Sequence, residues 1–191
     1  MKIEKGQPGY IKAQKTKYLI WALAEFGIVV AILVLGYMQT GSKMNLFTII
    51  AVVGCLPAAK MLVEFITMAP HQSISVEMYT EIEEKAPLLT KAYDLLLTSS
   101  EKVMPVTAIV ISGHTVCGYC ESAKTDEVVC ARYIKEMLKN NKHDKVTVKL
   151  FHDYQAFLSR AEGMNSIAAV EQPENRRKEK AIRRLILTVS M

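Results

Sequence analysis

The sequence predicts a membrane α-helical hairpin of two transmembrane helices, followed by a small α/β domain with a parallel or mixed sheet of about three strands. Three observations carry that reading. Half of the 191 residues are hydrophobic and mean hydropathy is +0.14, high for one small soluble domain. The excess is concentrated in two apolar blocks within the first 70 residues. The remainder of the chain has the mixed composition of a globular domain. Four cysteines in a chain of this length do not make a disulfide framework, and a disordered or collagen-like composition is excluded. The organisation expected is a basic cytoplasmic arm over 1–17, a hairpin over 18–69 and a cytoplasmic α/β domain over 70–191.

Tyr18 to Met38 is a run of 21 residues with one charged side chain, Glu25. At about 1.5 Å per residue it is long enough to cross a hydrocarbon core of roughly 30 Å. The second block, Asn45 to Met68, contains Pro57, Lys60 and Glu64 in its second half. Only Gln39 to Met44 separate the two, which forces an antiparallel pair with both chain ends on one side. Lys2, Lys5, Lys12, Lys15 and Lys17 precede the first span, against Lys43 alone in the turn. By the positive-inside rule both termini are then cytoplasmic, in an inner or plasma membrane. The apolar stretch is too long for a cleaved leader and no small-x-small cleavage site comes after it. The arm, with Gly6, Pro8 and Gly9, is expected to be irregular and to lie near anionic headgroups.

An ionised side chain deep in a bilayer costs at least about 2.5 to 3.5 kcal/mol, so the charges in the blocks need partners. Glu25 lies about 10 Å and Lys60 about 12 Å from the cytoplasmic edge by helical rise. The matched depth predicts an ion pair between them, within one chain or between copies, with Glu64 one turn nearer the cytoplasm. A proton or ion relay is the functional alternative, but two helices cannot surround a path without oligomerising; a homo-oligomer through the hairpin is expected because buried charge is easier to satisfy in an assembly.

From residue 71 onward 17 Lys and Arg stand against 16 Asp and Glu, a balance without the electrostatic footprint of a nucleic-acid binder. Ser75 before Val76, with Glu77, Glu81, Glu83 and Glu84, reads as the start of a helix that Pro87 interrupts. Leu88 to Ser99, with Leu88, Leu89, Ala92, Tyr93, Leu95 and Leu96 at three and four spacing, reads as a second helix. Val106 to Ile111 is a nearly continuous β-branched run, the mark of a central strand. Gly113 to Tyr119 reads as a loop, and Thr125 or Asp126 as the cap of a helix to Asn140 that turns Val128, Val129, Ile134 and Leu138 inward. Lys145 to Phe151 alternates like a strand. Strand, helix and strand predict a right-handed crossover with the Val106 and Lys145 strands parallel. Asp153 can cap a short helix ended by Gly163, with a polar connection over 165–175 after it. Arg176 to Arg184 reads as a charged turn or helix and Leu185 to Val189 as a last strand.

The densest cluster of reactive types is His114, Cys117 and Cys120, just beyond the expected central strand, where sites form in open α/β sheets. A C-x-x-C pair at a helix start allows a small-ring disulfide, and the helix dipole lowers the pKa of the first thiol. Cys117-Gly118-Tyr119-Cys120, with a strand before and a helix and strand after, resembles the opening half of a glutaredoxin or thioredoxin-like domain over about a quarter of the chain. That resemblance implies Cys117 as attacking thiol and Cys120 as resolving thiol. It departs from the family later: Pro173 does not lead into a strand, and the family's closing hairpin and helix are not evident.

His114, Cys117, Cys120 and Cys130 also carry zinc-ligand chemistry in the order H-x2-C-x2-C-x9-C. Against both readings, Cys120 and Cys130 suit small buried hydrophobes in a reducing compartment. His152 and Asp153 share the same expected sheet edge, Asp153 as a helix cap. The basic run Arg176, Arg177, Lys178, Lys180, Arg183 and Arg184, beside Glu171, Glu174 and Glu179, suits a solvated face or anionic lipid. No aromatic platform or base-reading motif accompanies it. No phosphate-binding glycine loop, serine nucleophile elbow or carboxylate metal set occurs.

The function expected is therefore a tethered interaction or regulatory module with membrane lipid and an unidentified protein as partners, without nucleic acid or a required cofactor. The alternatives are a membrane-anchored dithiol oxidoreductase or redox sensor, the one enzyme class the residues suggest, and a zinc-stabilised binding module.

Overall fold

The computed structural model describes residues 3–42, 45–99, 102–123, 125–170 and 176–191. The chain divides into two compact units, Ile11–Gln72 on one hand and Met1–Tyr10 with Ser73–Met191 on the other.

The first of these contains α1 (Tyr10–Thr40) and α2 (Leu46–Met68), both long and apolar enough to cross a membrane. α1 encloses the expected 18–38 span, and α2 matches the expected 45–68 span except that Asn45 is its cap and not its first residue. α1 begins two turns before the apolar run, so Lys12, Lys15 and Lys17 are helical and not part of an irregular arm. Asn45 caps α2 by accepting the Thr48 amide at 2.9 Å, and its own side-chain amide donates to Thr40 Oγ1 at 2.8 Å. The helices meet through small residues: Ala22, Ala51 and Ala58 are buried, and a Cβ on Gly36 would lie 2.6 Å from Phe47 Cβ. Such residues let two helical backbones approach closely. At the far end Lys15 Nζ donates to the carbonyls of Ala69, at 2.8 Å, and of His71, groups that the end of α2 leaves without helical partners. Most other side chains point outward and are apolar, including Leu23, Ile28, Leu56 and Val63.

Glu25 and Lys60 do not pair within this chain. The described residues do show ion pairs elsewhere, Lys85 with Glu81 and Lys91 with Glu83. Lys60 is exposed, Glu25 and Glu64 are half-buried, and Glu25 Oε2 is buried without a hydrogen-bond partner.

The other unit runs α3 (Val76–Lys85), β1 (Thr90–Thr98), β2 (Val103–Ser112), β3 (Thr115–Tyr119), α4 (Glu127–Asn140), β4 (Thr147–Phe151), α5 (Tyr154–Val170) and α6 (Arg176–Val189). The sheet has four strands, not three, in the order β1-β2-β3-β4. The first two pairings are antiparallel and the last parallel. α4 and α6 cover one face and α3 and α5 the other.

Several elements differ from expectation. Leu88 to Ser99 is not a helix but strand β1. Ala92 and Leu95 join the α4/α6 core while Leu89 and Tyr93 join the other, because the chain switches face at Asp94, whose φ is +54°. Spacings of three and four, the signature of a helix, thus arise from a strand with a kink. Asp94 is held there by accepting the Ile74 amide at 2.8 Å. The Gly113–Tyr119 loop is instead a tight turn at Gly113, whose φ is +55°, leading directly into β3. The parallel pair is therefore β3 with β4, Thr115 opposite Thr147 through Tyr119 opposite Phe151. β2, the Val106 strand, runs antiparallel to β3.

Gly118 permits this packing, since a Cβ there would lie 2.5 Å from Leu150 Cδ2. α5 runs through Gly163, and α6 continues through Val189, so the last strand is absent among the described residues. Ile182 and Ile186, one turn apart, bury themselves in the core and override the β-branched tendency of the run. Ser75, Asp126 and Asp153 cap their helices as expected, whereas Val128 and Val129 are exposed.

β1 is an edge strand, and both chain ends close it. The Tyr93 amide donates to the Gly6 carbonyl at 3.1 Å, Leu96 donates to Ser190 Oγ at 3.1 Å, and the Met191 amide donates to the Leu96 carbonyl at 2.9 Å. Lys5 Nζ donates to the carbonyls of Ser190 and Leu187, and burial lowers its pKa. A long open edge invites pairing with other chains; here that edge is occupied.

Candidate functional site

The C-x-x-C motif lies on β3 and its extension, not at a helix start. The Cys120 amide donates to the Phe151 carbonyl at 2.9 Å and so prolongs the parallel ladder. Side chains on a strand alternate, so residues three apart face opposite ways. Cys117 packs in the α3/α5 core and Cys120 in the α4/α6 core. The sheet itself stands between the two thiols that a dithiol reaction would join.

Their environments also differ from that of an attacking thiol. Burial pushes the Cys117 thiol up, and the opposing hydrogen bond from Arg160, with the charges of Arg160 and Lys149, does not reverse that. A hydrogen bond with Cys130, then burial, raises the Cys120 thiol. Nucleophilic cysteines need the opposite direction.

Cys120 and Cys130 thus share a contact in the aliphatic core, both fully buried. His114 is exposed in the β2–β3 turn, six residues from Cys120, about 20 Å along an extended strand. The four candidate zinc ligands are therefore not assembled, and the described residues contain no group of three His, Cys, Asp or Glu that could hold a metal ion. His152 does reach Cys120: its Nδ1 lies 2.9 Å from the Cys120 carbonyl oxygen.

The polar chemistry of the domain gathers on the α3/α5 face, where the motif had not pointed. Tyr93 donates to Glu83 Oε1 at 2.8 Å, and Lys91 Nζ lies 2.6 Å from Glu83 Oε2. Tyr154 donates to Glu81 Oε2 at 2.8 Å, and Lys85 lies 3.4 Å from the same carboxylate. Tyr119 stacks edge-on against Tyr154 at 5.3 Å and tilted against Phe157 at 6.0 Å. Burial, and then the hydrogen bond to a glutamate, pushes the Tyr93 and Tyr154 hydroxyls above their ordinary pKa.

Lys149, opposite Cys117 in the parallel register, and Arg160 are exposed cations beside this cluster. The period-two alternation of β4 placed Lys149 on a face, but without β3 the sequence offered no signal that Cys117 lay across from it. Neither cysteine of the motif is exposed. Comparison with protein-family models, with curated proteins and with solved structures finds no match.

Proposed function

We propose that the chain is a two-span membrane protein whose α/β domain acts as a tethered interaction or regulatory module on the cytoplasmic side of an inner or plasma membrane. One observation carries the reading. Residues before α1 and residues after α2 belong to one compact unit, joined by the Tyr93–Gly6 hydrogen bond and the Lys5 contacts at Ser190. Two helices crossing a bilayer between them must then leave both their outer ends on the same side. The lysine excess before the first span favours the cytoplasm for that side.

A membrane-impermeant thiol reagent should label a cysteine introduced at Ser42 in intact cells and should not reach one at Asn165. Reversed labelling overturns the orientation, and equal protection of both sites overturns the crossing itself.

The hairpins associate in this reading, because Lys60 stands exposed on a helix whose one other charge is Glu64, and the half-buried Glu25 forms no ion pair among the described residues of its own chain. Pairing across two copies would offset much of the roughly 2.5 to 3.5 kcal/mol insertion cost of each charge. Glu25→Ala and Lys60→Ala should each shift the protein in mild detergent toward monomer, and the double substitution by less than the sum. Strictly additive shifts would mean that the two side chains never meet.

A further inference from the structure

We propose that the outward face of α6 is a docking surface for anionic phospholipid headgroups of the membrane that holds α1 and α2, a proposal that rests on the two-span reading. α6 contains six cations and one acid. That acid, Glu179, is turned inward and buried, where it accepts Thr90 Oγ1 at 2.8 Å and the Gly113 amide at 2.7 Å. Arg183 is half-buried and its Nε donates to the Lys91 carbonyl at 2.7 Å.

What remains outside is of one sign: Arg176, Arg177, Lys178, Lys180 and Arg184 are all exposed. At 100° per residue, Arg177, Lys180 and Arg184 cluster opposite the buried stripe of Ile182 and Ile186. They border an open groove of about 680 Å³ with Ala181 and Leu185 in its wall.

A solvated helix face gains from acids and bases interleaved four apart. This one has none. No carboxylate among the described residues pairs with its cations, and three of them stand in the first turn, where the positive end of the helix dipole opposes them. Bound anions relieve both sources of repulsion. The domain as a whole is nearly neutral by sequence count, so the charge is a local device and not a general basicity. Two membrane-crossing helices would supply the effective concentration that makes a handful of weak headgroup contacts sufficient.

The test uses the full chain in nanodiscs of phosphatidylcholine, with and without phosphatidylglycerol. Thr188, exposed on the same side of α6, is replaced (Thr188→Cys) and given an environment-sensitive fluorophore. Cys55→Ala removes the one half-buried native thiol, and a label at Glu162→Cys on α5 serves as control. The α6 label should move to a less polar, quencher-shielded environment only with the anionic lipid, reversibly with salt, while the control label stays unchanged. Arg177→Gln, Lys180→Gln and Arg184→Gln should each weaken that response by about fivefold, since a cation near such a surface contributes about 1 kcal/mol. All three are exposed, so folding is monitored by the control label.

An inserted protein whose α6 label ignores lipid charge overturns the docking surface and leaves the two-span reading intact. A chain that alkaline washing strips from the bilayer overturns both. Displacement of the label response by an equal charge of oligonucleotide would assign the face to nucleic acid instead.

Discussion

The two faces of the sheet are held by different chemistry. On the α4/α6 side the buried set is aliphatic with two thiols: Leu95, Leu97, Ile109, Ile111, Ile134 and Leu138 around Cys120 and Cys130. On the α3/α5 side Tyr93, Tyr119 and Phe157 form the centre, with Tyr79 and Tyr154 packed against it. Two of those hydroxyls run out to Glu81 and Glu83 at the rim. An aliphatic face gains its stability from area and close packing, which is non-directional. An aromatic face with tethered hydroxyls adds directional bonds that hold α3 and α5 at set positions. One face thus seats the cationic helix, and the other carries the tyrosine–glutamate bonds.

The largest expected effect breaks the aliphatic side. Ile134 is fully buried on α4, one turn from Cys130 and one from Leu138. Ile134→Ala should cost the domain about 2 to 5 kcal/mol, the range for truncating a buried aliphatic side chain that leaves a cavity. Thermal unfolding of the full chain is followed by near-ultraviolet circular dichroism, to which four of the domain's five tyrosines contribute from the other face. A cooperative domain loses that signal at the lowered midpoint. If the midpoint moves by less than about 1 kcal/mol, α4 does not pack as described.

Both apolar helices and α4 were legible in the sequence because their signals are long and locally consistent: unbroken hydropathy in one case, a cap and a repeated four-spacing in the other. So were β2 and β4, the runs richest in β-branched residues or in alternation. The failures share a cause. β1 imitates a helix because the switch at Asp94 replaces the period of two with spacings of three and four. β3 imitates a functional loop because Gly118 and two cysteines occupy positions where tight packing wants small side chains. Without β3 the Val106 run becomes the nearest parallel partner for β4 and the C-x-x-C pair resembles one site, although three-residue spacing on a strand separates what it would bring together on a helix. The rim of tyrosines and glutamates had no local signature, since Glu83 and Tyr93 meet only once β1 packs beneath α3.

The smallest expected effect sharpens the comparison from the aromatic side, through pH. Tyr93 and Tyr154 are held above their ordinary pKa of 10.0 by burial and then by their bonds to Glu83 and Glu81. A folded-state pKa above the unfolded one means that the folded chain keeps its proton where the unfolded chain has lost it. The stability from these hydroxyls is therefore complete below about pH 10 and declines as pH rises beyond it. Tyr154→Phe should cost about 0.5 to 1.5 kcal/mol at neutral pH, the net worth of one hydrogen bond, with Glu81 still partnered by Lys85 at 3.4 Å. It should also flatten the alkaline decline. Tyr93→Phe should do the same, since Glu83 keeps Lys91 at 2.6 Å. Ile134→Ala should instead lower the whole profile without changing its slope, because no titrating group is removed. Urea unfolding at intervals from neutral pH to above pH 10 separates the two behaviours. A tyrosine variant that tracks the unsubstituted chain at a constant offset through the alkaline range would mean that the hydroxyl–carboxylate bonds are not what distinguishes this face.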